Sequence, residues 1–399
     1  MKGQPFDLGF FKNWATAAAN GLPGFYARAS LCDYPPLYIY VLFVVGRASR
    51  LAALAPHFIL LLKLPSMAAD LVTSWLIYRL AKKYLSPEIG ILLAAFYVFN
   101  PAVLINSAIW GQVDSFFTLI VAAALYALAE NRTALASALF AAAVMMKPQG
   151  IIFLPVLAFE VLRQKRLRGL AVALACACGT AVVIALPFSL GNGFLWIFRL
   201  FANTLGEYPD ASVNAFNLFG LLGANYQSDT GTLLLFSYHT WGLILIVAVT
   251  ALAWLYYIKG NRRAFAPAVA LLLIAGVFIF GSRMHERYLF PAAALAVLTA
   301  CYLRDRRLLP LALGFSVTAY INTHAVLVWT LQGVNTAPHG SVMICMAVLN
   351  MLLFAYMVKV LFDMAVRHRI VPFQTPPKET LNIGVSLIDS ADKQGVEHE

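Results

Sequence analysis

Charge is scarce in this chain: 12% of its 399 residues are Asp, Glu, Lys or Arg, about half the share usual in a soluble domain. With 61% hydrophobic residues and a mean hydropathy of +0.77, that scarcity excludes a water-soluble globule and a disordered chain. A cysteine framework is missing as well. The five cysteines (Cys32, Cys176, Cys178, Cys301 and Cys345) have neither disulfide-framework nor metal-ligand spacing. Cys176 and Cys178, two apart in an apolar run, point to different faces of a helix, so the set reads as small buried apolar residues. The apolar runs do not alternate with polar residues, which excludes a membrane β-barrel. No internal repeat is visible, which weighs against the inverted-repeat transporters.

What the chain does have is a succession of apolar runs near the length of about 20 residues that crosses a bilayer. The fold class this implies is an all-α polytopic membrane protein with about eleven spans, at 58–81, 89–107, 116–128, 134–146, 151–162, 170–190, 233–258, 265–281, 288–303, 308–328 and 342–362. Two of these, 134–146 and 151–162, are too short for the bilayer and meet at Lys147-Pro148-Gln149-Gly150. Such a break is tolerated only against protein or a wet cavity. The net charge of +11 is not a nucleic-acid footprint. Its basic residues sit in short loops: Lys82-Lys83, Arg163 to Arg168, Lys259 with Arg262-Arg263, Arg304 with Arg306-Arg307, and Arg367 to Arg369. All of these fall on one side of the expected spans, the positive-inside pattern.

That orientation places residues 1–56 outside, as a first outward loop. Its apolar stretch at 37–55 carries Arg47 and Arg50 and reads as an interfacial amphipathic helix. Either this loop is translocated unaided or an additional helix precedes Met1, and the second is the expectation, since nothing before the loop would anchor it. A transmembrane catalytic region follows at 57–310, then C-terminal transmembrane helices at 311–371. The polar stretch 372–399 reads as a disordered cytoplasmic tail.

The outward loops collect the chemistry. They hold Asp7, Asp33, the run Trp110-Gly111-Gln112-Val113-Asp114, Lys147 and Gln149, then Asn214 and Asn217, and finally Arg283, His285, Glu286 and Arg287. The inner loops are short and merely basic. Each residue has a plainer reading. Asp33, ahead of Tyr34-Pro35-Pro36, and Asp114 are both placed to cap the helices that follow. Lys147 is long enough to snorkel to the interface. His285 and Glu286 can pair with the arginines for packing, and Asp7 can be a solvated surface acid. The case rests on their shared side, because ionisable residues at membrane depth mark function by default.

The ordered segments DYPPLYIY, FNPAVLINSAIWGQVDS, MMKPQGIIFLP, SVNAFNLFGLLG and MHERYLFP resemble the GT-C superfamily of polyprenyl-phosphate-sugar glycosyltransferases. The dolichyl-phosphate-glucose glucosyltransferases, the GPI-type mannosyltransferases and their prokaryotic relatives are similar. The resemblance covers roughly residues 5–310, with Asp33 to Leu37 matching the family's first outward loop and His285-Glu286-Arg287 its late motif. Two departures are visible: the family's first helix is missing ahead of the aspartate loop, and the second loop reads WGQVDS where the eukaryotic glucosyltransferases are rich in histidine.

The resemblance implies transfer of a hexose, mannose or glucose, from a polyprenyl-phosphate sugar to a lipid-linked or cell-envelope glycan acceptor on the outer face, with inversion. It implies Asp7 as the base, Asp33 as the next choice, and Asp114 as an acid positioning a substrate. Lys147, Arg283, His285 and Arg287 would contact the donor phosphate, while Trp110, Gln112, Gln149, Asn214, Asn217 and Glu286 would hold the sugars. No metal-ligand set is legible and no cofactor is expected, although a divalent cation occurs in the wider superfamily. The partners implied are donor, acceptor and membrane lipid, without nucleic acid. The location would be the plasma membrane in a prokaryote and the endoplasmic reticulum membrane in a eukaryote. The competing class, a secondary transporter or lipid-linked sugar carrier, would place its polar residues at the bilayer midplane.

Overall fold

The computed structural model describes residues 3–373 apart from 30, 191 and 194; most of the stretch expected as a tail lies outside the described residues. The described residues are mostly helical, and among them a single short hairpin pairs Thr232–Leu233 with Phe236–Ser237. Among the described residues, six helices are long and apolar enough to cross a membrane, at Ala55–Tyr84, Leu167–Phe188, Tyr238–Gly260, Arg263–Phe280, Arg306–Leu331 and Ser341–Ala365. A seventh span is added if the pair Pro87–Val98 and Pro101–Trp110, bent by 40°, counts as one.

The remaining four of the eleven expected spans are present but too short to cross unaided. Asp114–Ala129, Thr133–Met146 and Pro291–Leu303 are helices of 16, 14 and 13 residues. The stretch at 151–162 splits into a 3₁₀ segment, Pro148–Phe153, and an 11-residue helix, Leu154–Gln164. The reason is burial. Every residue of Pro291–Leu303 is enclosed by protein, so this helix meets other helices where the apolar run alone suggested lipid. By contrast, Leu167–Ala185 buries only Ala173 and Ile184 and turns Leu174, Val182 and Val183 outward, as a lipid-facing helix does.

The basic loops converge at one end. Lys83 pairs with Glu130 at 2.6 Å, Tyr84 donates to the same carboxylate, and Arg304 lies over the Tyr84 ring. Arg163 and Arg263 share Glu160, and Arg307 bridges Asp305 and Asp363. Arg163 and Arg307 also meet acids close by in sequence, but Lys83–Glu130, Arg263–Glu160 and Arg307–Asp363 join separate segments and so lock helix ends together.

At the opposite end, two breaks shape the site. Asn100 Oδ1 accepts from the Ala102 amide, and Pro101 occupies the first helical position, which restarts the chain at an angle. The restarted helix widens into a π-helical turn, Ile105–Trp110, and stops at Gly111, whose φ of 93° a side chain would strain. The second break follows Met146, where Lys147 is extended and Pro148 begins the 3₁₀ segment. Gly150 lets that segment lie against the preceding helix, since a Cβ there would come within 2.5 Å of Ala143 C. Three helices of the first loop, Pro5–Ala18, Phe25–Arg28 and Pro36–Ala48, roof this end. The first and third pack on each other.

Candidate active site

Beneath that roof lies a cavity of about 490 Å³. Its lining includes Asp7 and Asp33 from the first loop, Gln112, Lys147 and Gln149 from the two breaks, and Arg283, His285 and Arg287 from the late loop. Eight of the thirteen residues singled out in the sequence therefore face one space, though they come from segments up to 280 positions apart.

Asp7 sits in the first turn of Pro5–Ala18, where Gln4 caps the helix by accepting from the Asp7 amide at 2.6 Å. Its Oδ2 accepts from Trp110 Nε1 at 2.7 Å and from Gln112 Nε2. Both donors land on one oxygen, which leaves Oδ1 without a donor among the described residues. Trp110 is thus not on the cavity surface; it lies buried behind Asp7 and orients it. Asp33 is in a loop tied down through its carbonyl, which accepts from Thr204 Oγ1 at 2.8 Å. Burial raises its carboxyl pKa, with Arg287 and Lys147 pulling the other way and Asp7 adding to the rise.

Asp114 stands behind the lining and is 1% exposed. One oxygen receives Lys147 Nζ. The other accepts from Asn106 Nδ2 at 3.0 Å and has Arg287 Nε at 3.8 Å. The acid therefore stands between two cations at the cavity wall, where the resemblance implies an acid that positions a substrate. Lys147 also lies over the Tyr288 ring at 5.1 Å, and Gln149 donates to the Tyr288 carbonyl at 2.8 Å, which fixes the broken hairpin to the late loop.

Arg287 donates to Glu286 at 2.6 Å and lies over the Trp110 ring. Its buried Nε has no hydrogen-bond acceptor, an unmet donor on a guanidinium that lines a cavity. Glu286 is turned away from the lining and serves as the partner of Arg287. Arg283 is more committed: its Nε binds Asp229 at 2.7 Å and its Nη1 the Leu205 carbonyl at 2.7 Å. His285 stands between the rings of Tyr208 and Tyr288, at 4.7 and 4.9 Å. Burial, reinforced by Arg287 and Lys147, holds its pKa well below the usual histidine value, so it is a neutral ring at pH 7.

Asn214 and Asn217 are not in the lining. Asn214, at a φ of 57°, donates to the Asn335 carbonyl and accepts from the Ala337 amide. Asn217 caps Leu218–Leu221 and donates to the Phe278 and Gly281 carbonyls. Both knit the loop whose backbone pairs with His285, so they act on the site through that loop.

Glu207 and Tyr208, just upstream of the segment SVNAFNLFGLLG, were not among the expected site residues. Both line the cavity. Glu207 is pushed up to about 7 by desolvation, then by the charge of Asp33. Its signal in the sequence was an acid beside an aromatic in an outward loop. The apolar flank formed by Ile151, Ile152, Leu243, Ile246, Val277 and Met284 gave no signal at all, because it is assembled from four separate segments.

No curated protein matches the chain. The sequence profile of glycosyltransferase family 87 matches residues 31–282, a stretch that carries Asp33, Gln112, Asp114, Lys147 and Gln149 and reaches the edge of the late loop. That match covers well over half of the sequence, and the chain belongs to glycosyltransferase family 87.

Proposed function

We propose that this membrane glycosyltransferase moves a hexose, mannose or glucose, from a polyprenyl-phosphate sugar to a glycan or glycolipid acceptor at the outer face, inverting the anomeric centre. The observation that carries the reading is the division of one cavity: carboxylates on the roof, cations on the wall, and an apolar flank leading outward. Leu243 on that flank is 51% exposed, on a helix otherwise turned largely to its surroundings. A prenyl chain lying along this flank would bring its phosphate beside Arg287 and Lys147.

In this reading the Arg287 fork and the Lys147 ammonium bind the donor phosphate and take up the charge that grows as it departs. Neutral His285 donates one further hydrogen bond. Asp7 Oδ1 takes the proton of the acceptor hydroxyl as the new glycosidic bond forms on the face opposite the phosphate, and Trp110 and Gln112 keep that carboxylate aimed. Asp114 keeps the two cations in place, and Gln149 and Glu207 are within the space for sugar hydroxyls. The oxygen–anomeric carbon bond to phosphate breaks, and the phosphate leaves with its prenyl chain.

The test is transfer in proteoliposomes of purified protein given a polyprenyl-phosphate hexose carrying a radiolabel, with nucleotide sugars as the control donor. Label in a glycolipid product, of anomeric configuration opposite to the donor, supports the reading. Label taken only from the nucleotide sugar overturns it.

A further inference from the structure

A second polar centre lies within the bundle, away from the cavity lining. Asp70 is near the middle of the helix Phe58–Tyr84, is 4% exposed, and its Oδ1 makes no hydrogen bond. The groups that act on its carboxylate are the hydroxyls of Ser107, Ser115 and Tyr97, with no cation among them. Thr73, one turn along from Asp70, adds its hydroxyl beside Tyr97. Four segments contribute: the Phe58–Tyr84 helix, the end of Pro87–Val98, the π-helical turn Ile105–Trp110, and the start of Asp114–Ala129.

Most of the hydroxyls here lack a hydrogen-bond partner of ordinary geometry, although Ser107, Ser115 and Tyr97 stand near enough to act on the Asp70 carboxylate. Buried serine and threonine in helices ordinarily bond the carbonyl four residues back, as Ser107 does with Val103 at 3.0 Å. Thr73 and Ser115, and Ser66 one turn before Asp70, do not; their oxygens and that of Tyr97 have no partner. Unsatisfied polar groups buried in a fold are few and each asks for an explanation. Several of them around one carboxylate at membrane depth point to a ligand.

We propose that Asp70, Thr73, Tyr97, Ser107 and Ser115 form a binding site for a small alkali cation, with Na⁺ as its probe. The donor set is all oxygen, which suits hard cations and disfavours transition metals. One carboxylate balances one positive charge, so a monovalent ion leaves the site neutral and a divalent ion would leave a net charge at low dielectric. The site adjoins the cavity through the backbone. Ser115 follows Asp114, and Ser107 follows Asn106, whose amide holds Asp114. The bound ion therefore braces the segments that carry the two cations of the wall.

The test is equilibrium binding of ²²Na⁺ to the purified full chain in nanodiscs, together with Tm measured in NaCl and in choline chloride at equal ionic strength. Saturable Na⁺ binding and a Tm higher by a few degrees in NaCl are expected for the wild type, since a ligand of the native state stabilises it. Asp70→Asn should lose both responses. Ser115→Ala, which keeps the charge and removes one ligand, should shift half-saturation several-fold upward, and it decides the matter if Asp70→Asn does not fold. Absence of saturable binding in the wild type overturns the proposal, as does binding to either variant with unchanged affinity.

Discussion

Replacing Asp7 by asparagine separates chemistry from stability unusually well in this protein. Both protein donors, Trp110 Nε1 and Gln112 Nε2, reach the same oxygen. An asparagine carbonyl can take that place and keep both bonds, while its NH₂ occupies the Oδ1 position facing the cavity. What is lost structurally is charge assistance: a hydrogen bond to an ion contributes about 1.5–3 kcal/mol against about 1 for a neutral pair. For a half-buried side chain, water makes good part of that difference, so the stability cost is about 1–2 kcal/mol. The chemical loss is larger. A positioned base contributes about 10²- to 10⁴-fold, or about 3–5 kcal/mol at about 1.4 kcal/mol per tenfold. Initial rates at saturating polyprenyl-phosphate hexose should therefore fall by about 10²- to 10⁴-fold, with donor KM little altered and a Tm lower by only a few degrees. A folded Asp7→Asn enzyme with kcat within about threefold of wild type would refute the argument. If Asp33→Asn lost the larger factor instead, the base would be Asp33.

Arg287→Lys keeps a positive charge beside Asp114 and Glu286 but loses the planar fork; kcat should drop by about 10- to 100-fold, below the about 10²- to 10³-fold cost of removing such a donor outright, and an unchanged kcat would take the phosphate contact away from Arg287. Asp114→Asn leaves Lys147 and Arg287 buried without their shared counter-charge and should cost about 3–5 kcal/mol; Asp114→Asn with Lys147→Met should recover much of the Tm while remaining inactive, and a double variant no more stable than the single would count against the pairing. Glu207 titrates at about 7 in the folded chain, above its ordinary carboxyl value, so the native state binds its proton more tightly than the unfolded state does. Its effect on stability is therefore most favourable at acid pH and is lost as pH rises from the ordinary glutamate value through about 7. Glu207→Gln should gain Tm relative to wild type across that window; a constant Tm difference over the same pH series would show that no such linkage exists.

Much of the site was legible because its residues belong to types that membranes exclude unless they are used. An aspartate, lysine or arginine beside a long apolar run stands out against a composition this poor in charge, and five such positions meet in one cavity together with Gln112, Gln149 and His285. Their individual roles were not legible. Gln112 and Asp114 are two residues apart, yet one faces the cavity and the other lies behind it, because the π-helical turn and Gly111 set the direction of each. Asn214 and Asn217 look like sugar ligands in a line of text, but their amide groups bond backbone atoms of other segments. Asp70 is a lone acid in an apolar helix; its hydroxyl neighbours come from three other segments.

The amino-acid order by itself determined that the chain is helical and membrane-embedded and where its apolar segments begin and end, because transfer from water to an apolar medium depends on composition over a short window. It also determined that the basic loops share a side. Only the tertiary structure decided which of those segments are surrounded by lipid and which by protein, since hydropathy measures escape from water and is blind to what replaces it. It alone decided that Asp114 serves the cations while Asp7 faces the open space, because that depends on which atoms of distant segments come within hydrogen-bonding distance.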